Sequence, residues 1–350
     1  VSKMTAMLLS MLLTAAGLTV HVLRSLPATT TTASDRTDMI VASGSTAQLT
    51  AMNAWRADFQ AIHPGTRIDY RANGSGAGVR DFIGGATAFA GSDRVMNPQE
   101  QAAADGRCRG RALHLPMVAG PIAVAYNLPS VPGLRLSPGT LAGVFGGRIT
   151  TWDDPSIAAE NPGADLPQGG IEVLHRSDDS GTSHGFAAYL AAGGSPSHRS
   201  RGTWPVAGRG VQGSDGMARA IRDGWGTIGY VEYGFAGRAG LATAKVRNGA
   251  GEFVALSPEG ATQGLENARI DDGGGGLMMT LDYTGRRRGA YPIALVTYEI
   301  VCARGAAPLT RSFLRYAAGN AGQSYLSLLG YAPMPQEVIA RVRARLAAMA

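Results

Sequence analysis

From about residue 38 onward, short apolar runs alternate with amphipathic helical stretches, and this alternation constrains the fold more than any other feature of the chain. Residues 39–43 read as a strand. Residues 47–62 read as a helix with Leu49, Met52, Trp55, Phe59 and Ile62 on one face, closed by Pro64-Gly65. Residues 67–71 alternate like a strand, a second helix starts over 79–84, and Ala88-Phe89-Ala90 is a short buried strand. This grammar predicts an α/β fold with parallel strands. After the apolar segment 113–126 comes a second region, with a strand over 171–175, helices over 183–192 and 216–223, and a strand over 228–231. The polar interval holding Asp271-Asp272-Gly273-Gly274-Gly275-Gly276 predicts a mobile loop near a boundary. A strand over 291–301 and helices over 309–317 and 335–349 close the chain. Two α/β lobes joined by extended crossings fit this layout.

The N-terminus carries a compartment signal. Lys3 precedes an apolar run over 4–23 that is broken only by small or weakly polar residues and His21; Arg24 follows, then Pro27-Ala28-Thr29-Thr30-Thr31-Thr32-Ala33-Ser34. Residues 1–36 therefore read as an export leader or N-terminal anchor plus a Thr-rich tether, which puts the chain in the periplasm or at the cell surface. No cysteine lies near the leader, so attachment through a lipobox cysteine is excluded. Outside the cytoplasm the two cysteines, Cys108 and Cys302, are expected to pair, the alternative being two buried thiols. Their bridge would close a long loop, worth roughly 4–5 kcal/mol in the chain-entropy model.

The 49 glycines among 350 residues show no collagen-like period, and suit tight turns and close backbone approaches. The formal charge of +6 is scattered, and Arg286-Arg287-Arg288 is a short surface cluster without interleaved aromatics. This excludes a basic nucleic-acid stripe.

One local device recurs: a strand ends, a loop of Gly with Ser or Thr follows, and a helix begins. It occurs at Gly44-Ser45-Thr46-Ala47, at Gly74-Ser75-Gly76-Ala77-Gly78 and at Ser180-Gly181-Thr182-Ser183. Helix N-termini carry unpaired N–H groups and partial positive charge, and hydroxyls add donors, so such loops seat oxyanions. Any single loop is better explained by ordinary N-capping. Three in one chain favour a shared anion site. Arg176 ends the strand before the third loop, and its planar fork suits a tetrahedral oxyanion. Asp178 is placed to hold that fork, or is a solvated loop residue. Asp93, in Gly91-Ser92-Asp93, follows the strand over 88–90. It is either a turn aspartate or an acceptor-only carboxylate that favours a protonated oxyanion over sulfate.

The string Gly181-Thr182-Ser183-His184-Gly185 also matches the hydrolase elbow G-x-S-x-G, which keeps a serine hydrolase using Ser183 as an alternative. The preceding strand ends too early for a sharp elbow. No metal-ligand spacing and no Walker loop are present, and no cofactor is expected.

These motifs resemble the PstS family, the substrate-binding proteins of the high-affinity phosphate ABC importer. The resemblance lies in Gly44-Ser45-Thr46, Asn73-Gly74-Ser75-Gly76-Ala77-Gly78-Val79, Gly91-Ser92-Asp93 and His175-Arg176-Ser177-Asp178-Asp179-Ser180-Gly181-Thr182-Ser183. It continues in Thr151-Trp152-Asp153-Asp154-Pro155, Asn161-Pro162-Gly163 and Gly229-Tyr230-Val231-Glu232-Tyr233, and runs from about residue 39 to the C-terminus. It implies a two-lobed type II periplasmic-binding-protein fold, each lobe a mixed sheet flanked by helices, with the ligand in the interlobe cleft. Lobe one would hold 37–117 and 289–350, lobe two 118–288. The implied phosphate-binding residues are Thr46, Ala47, Ser75, Asp93, Arg176, Ser180, Gly181 and Thr182, with Asp178 supporting Arg176. The implied role is capture of inorganic phosphate by a monomeric, non-enzymatic receptor that serves permease subunits and their ATPase. A receptor for another oxyanion is the nearest alternative. Two positions depart from the family pattern: Ala47 stands where an aromatic residue is common, and Asp179 where glycine is common.

Overall fold

The computed structural model describes residues 38–193, 208–266, 268–273 and 276–349. The leader and tether expected over 1–36 lie outside the described residues, as do Gly274 and Gly275 of the glycine-rich interval. Among the described residues no helix is long and apolar enough to cross a membrane.

Nine strands form the main sheet: β1 (Asp38–Gly44), β2 (Thr66–Arg71), β3 (Phe89–Ser92), β4 (Ala112–Tyr126), β5 (Glu172–Arg176), β6 (Arg209–Val211), β7 (Thr227–Glu232), β8 (Ala242–Thr243) and β9 (Ala294–Cys302). Across the sheet the order is β2-β1-β3-β9-β4-β7-β5-β6, with β8 also paired to β4. As the alternation predicts, β1 is parallel to β2 and β3, and β5 is parallel to β6 and β7. The two longest strands differ: β9 is antiparallel to β3 and β4, and β4 is antiparallel to β7. The sheet is therefore mixed.

β4 joins two halves of the sheet. Its residues 112–121 pair with β9 and its residues 122–126 with β7. All 15 residues of β4 are buried, as a continuous apolar run covered on both faces should be. The side chains alternate between layers. Ile122, Val124 and Tyr126 enter one core, while Ala123 and Ala125 enter another. In the first half, Phe89 packs with Trp55 and Phe313, while neighbouring Ala90 packs with Val79, Phe82 and Ile300. Helices thus cover both faces of both halves.

Four helices position the loops of the site: α1 (Leu49–Ile62), α2 (Ser75–Ile83), α3 (Gly181–Ala192) and α4 (Gly213–Asp223). In α1, Met52, Trp55 and Phe59 are buried as its periodicity requires, but Ile62 is 61% exposed because it is the last helical residue. α2 starts four residues earlier than its apolar pattern suggested, so its Gly/Ser loop is itself the first turn. The segment before β9 sits inside the stretch expected to form the second lobe. Its apolar residues Ala261, Leu265, Leu277 and Met279 nevertheless pack with Trp55 and Phe313 in the first half. The Met279 amide donates to the Tyr298 hydroxyl there at 3.0 Å. Cys108, at the end of the helix Pro98–Cys108, is bonded to Cys302 at the end of β9, their Cα atoms 5.3 Å apart.

Candidate functional site

β1, β3, β5 and β6 all end at the seam between the two halves, the position where parallel α/β sheets bind ligands. The three Gly/Ser/Thr loops emerge there, and so does a fourth. Directly after β6 and Gln212, Gly213-Ser214 opens α4. The signal was in the sequence, in the same strand–Gly–Ser–helix form as the others.

Asp93 is the acceptor at the centre of the first half's contribution. Its Oδ1 receives hydrogen bonds from Ser45 Oγ at 2.6 Å and Thr297 Oγ1 at 2.7 Å, and its Oδ2 receives one from Ser75 Oγ at 3.1 Å. The same Ser75 Oγ accepts from the Asp93 amide at 3.1 Å, which pins the loop to α2. Burial pushes the Asp93 carboxyl up to about 6, against the pull of Ser45, Thr297 and Ser75, and the charge of Glu232 adds to the rise. Near neutral pH it is mostly ionised, and so an acceptor only. Thr297 and Glu299 were missed by the sequence reading. They are the polar interruptions in the otherwise apolar β9, which was the available signal. Glu299 is fully buried, and burial lifts its carboxyl to about 8, with Gln48 opposing and the charge of Asp93 adding.

Arg176 supplies the positive charge from the second half. It is 3% exposed, and Asp178 holds it through Nε to Oδ1 at 2.7 Å and through Nη2 to Oδ2. Burial opposes charge on both partners, yet their bidentate pairing wins, raising the arginine and lowering the aspartate. The Gly213 amide also donates to Asp178 Oδ1 at 3.1 Å. Arg176 Nη1 reaches Ser214 Oγ at 3.3 Å, and Ser214 Oγ shares a hydrogen bond of 2.8 Å with Thr46 Oγ1. Ser214 therefore links the arginine of one half to the first loop of the other.

The third loop carries the helix N-terminus. Ser180 caps α3, its Oγ accepting from the Ser183 amide at 3.3 Å. By helix geometry the amides of Gly181 and Thr182 have no acceptor within the helix. The Thr182 hydroxyl donates to Glu232 Oε1 at 2.5 Å, so Thr182 has its backbone N–H to offer. Gly181 is required by contact. A Cβ there would lie 2.4 Å from the Asp93 Cβ and 2.7 Å from Ser75 Oγ. The loops of the two halves are thus in van der Waals contact, and the cleft is closed.

Thr46, Ser75, Asp93, Arg176, Ser180, Gly181 and Thr182 converge on this seam. Ala47 lies beside them, buried, but its amide donates to Ser45 Oγ at 3.0 Å. Ser45, absent from the expected set, thereby both steadies the first loop and holds Asp93. The hydrolase alternative loses its geometry. Ser183 lies inside the first turn of α3, 1% exposed, with its Oγ 2.7 Å from the Tyr230 hydroxyl, not on an exposed strand-to-helix elbow. His184 Nε2 faces Asp179 Oδ1 at 3.6 Å. Among the described residues no group of His, Cys, Asp and Glu is arranged to hold a metal ion. Two members of the basic cluster are engaged by acids, Arg287 by Glu266 and Arg288 by Glu252.

The fold and its seam place the chain in the PBP superfamily, whose domain model matches residues 28–321. Phosphate-binding protein PstS 3 of Mycobacterium tuberculosis is 40% identical over 325 residues, covering 88% of this chain and 86% of the relative. Phosphate-binding protein PstS of Pasteurella multocida is 31% identical over 292 residues, covering 80% of this chain and 82% of the relative. A phosphate-binding protein structure from Stenotrophomonas maltophilia shares the fold, with a TM-score of 0.67 at 20% identity over 87% of this chain and 93% of that one. The chain belongs to the PstS family of phosphate-binding proteins.

Proposed function

We propose that this chain is an extracytoplasmic receptor that captures inorganic phosphate between two lobes and delivers it to the permease subunits and ATPase of an ABC importer. The observation that carries the choice of ligand is the pairing of an ionised, triply held Asp93 with a buried Arg176 across one seam. Phosphate near neutral pH keeps a proton to donate to Asp93, while sulfate has none and meets a repelling carboxylate. The remaining oxygens are taken by Thr46, Ser75, Ser180 and the amides of Gly181 and Thr182, with Ala47 buttressing the first loop. Hydrogen bonds to charged groups contribute about 1.5–3 kcal/mol each. Several of them reach sub-micromolar affinity, about −8 kcal/mol or tighter, after the cost of closure.

The proposed lobe one holds 37–117 and 289–350 and lobe two 118–288, with the apolar residues Ala261, Leu265, Leu277 and Met279 of the latter packed onto the core of lobe one. The change of partner along β4 between Pro121 and Ile122 supports a crossing near the first boundary. The receptor works as a monomer, and binding with lobe closure is its whole activity; no bond is broken. The apolar leader over 1–36 supports export, with the N-terminal segment as the candidate anchor. Uptake of radiolabelled phosphate by cells that carry or lack this chain tests the transport role. The chain should support uptake when phosphate is scarce, and equal uptake in both strains contradicts it.

A further inference from the structure

Asp179 follows β5, on the second-lobe side of the seam, yet its charge partners lie on both sides. Its Oδ2 is 3.6 Å from Arg80 Nη1 and 3.7 Å from Arg94 Nη2, both arginines belonging to the first lobe. Its backbone carbonyl accepts a hydrogen bond of 3.0 Å from the Gly76 amide, in the first turn of α2. The approach is tight: a Cβ on Gly76 would lie 1.8 Å from the Asp179 carboxylate. The carboxylate therefore rests against the positive end of α2. Arg94 does not wander to find it. Glu100 fixes its guanidinium through both Nη atoms, at 2.7 and 2.8 Å, and its side chain is 14% exposed. His184, on α3, faces the other carboxylate oxygen at 3.6 Å. Arg94 and His184 also line a cavity of about 330 Å³ that runs between the halves and reaches Asp93. A charge pair at this spot bridges the lobes beside the passage to the anion.

We propose that Asp179 is an interlobe latch, its carboxylate drawn by Arg94 and Arg80 of the facing lobe so that the closed receptor releases its anion slowly. The latch rests on the reading of the chain as a two-lobed receptor. Opening the cleft separates Asp179 from both arginines and from the Gly76 amide, so these interactions exist in the closed state alone. They do not touch the anion, and they set its residence time rather than its identity.

The test follows release of radiolabelled phosphate from the full chain into excess unlabelled phosphate, for the parent, Asp179→Asn, Arg94→Gln and the double variant. Asn keeps the backbone bond to Gly76 and removes the charge. Two partly screened ion pairs make release about three- to tenfold faster in Asp179→Asn at an ionic strength of about 50 mM. That ratio should fall below about twofold near 1 M salt, where the Debye length is about 3 Å. The double variant should release no faster than the faster single variant. Release from Asp179→Asn that equals or is slower than the parent's overturns the latch, because it shows Asp179 neutral or repelling toward the bound anion. Strictly additive effects of the two substitutions overturn it as well. A parent protein that binds no phosphate removes the receptor reading and the latch with it, a result distinct from both.

Discussion

Replacing Asp93 by Asn should make the ligand-free protein more stable at neutral pH while relaxing its choice of anion. The carboxyl is lifted from its ordinary 3.8 to about 6, with burial outweighing three hydroxyl donors. That difference corresponds to up to about 3 kcal/mol of folding stability at pH 7. The sign follows from proton binding. A carboxyl raised in the folded state binds more protons folded than unfolded between about pH 4 and 6. Its contribution is present below that window and is lost as pH rises through it. Asn resembles the protonated form and never ionises, so Asp93→Asn should melt higher than the parent at pH 7.5, and the difference should vanish near pH 4. The same change gives up one charged acceptor for the phosphate proton, worth about 1.5–3 kcal/mol, or about 10- to 150-fold in affinity. It also offers sulfate a donor where it met a carboxylate. Scanning calorimetry without ligand from about pH 4 to 7.5 reads the first effect, and competition titration with the two anions reads the second. A variant less stable than the parent at pH 7.5, or one with parental phosphate and sulfate affinities, refutes the reasoning.

Other substitutions probe the rest of the site. Arg176→Ala removes the positive charge and leaves Asp178 buried without its guanidinium. Phosphate binding should be lost and stability should fall by about 3–5 kcal/mol, read by calorimetry and chemical denaturation. Ser214→Ala deletes the hydroxyl between Arg176 and Thr46; phosphate affinity should drop about fivefold with little change in melting temperature. Glu299 is lifted from its ordinary 4.5 to about 8, so its contribution is full below about pH 4.5 and is progressively lost as pH rises to about 8. Glu299→Gln should raise stability at pH 7 and flatten the parent's decline between about pH 4.5 and 8 in melts over that range. Reducing the Cys108–Cys302 bond, which spans 194 residues, should destabilise the protein by about 5 kcal/mol in the chain-entropy model, read by denaturation with and without reductant.

The fold was legible wherever the hydrophobic period was clear. The strands of the parallel pairs and the buried face of α1 follow from their patterns. The antiparallel placement of β4 and β9 does not, because a run buried on both faces carries no direction. The packing of Leu265 and Met279 onto the first half was likewise hidden, since sequence proximity to the second region says nothing about which core receives an apolar face. In the site, Arg176, Asp178 and the loop hydroxyls announced themselves by type and spacing. Ser214 did so in the same form and was passed over. Thr297 and Ser45 were harder. Their role is to hold Asp93, and that depends on strand pairing that brings β9 and β1 on either side of β3. Ala47 shows the converse limit: a loop position can lie at the seam while its amide serves a neighbouring serine.

Titration calorimetry of the ligand-free protein with phosphate, and separately with sulfate, tests the central claim most directly. The account predicts one-to-one phosphate binding at sub-micromolar Kd near neutral pH, with sulfate weaker by orders of magnitude. Sulfate binding as tight as phosphate, or no heat with phosphate at all, would contradict it.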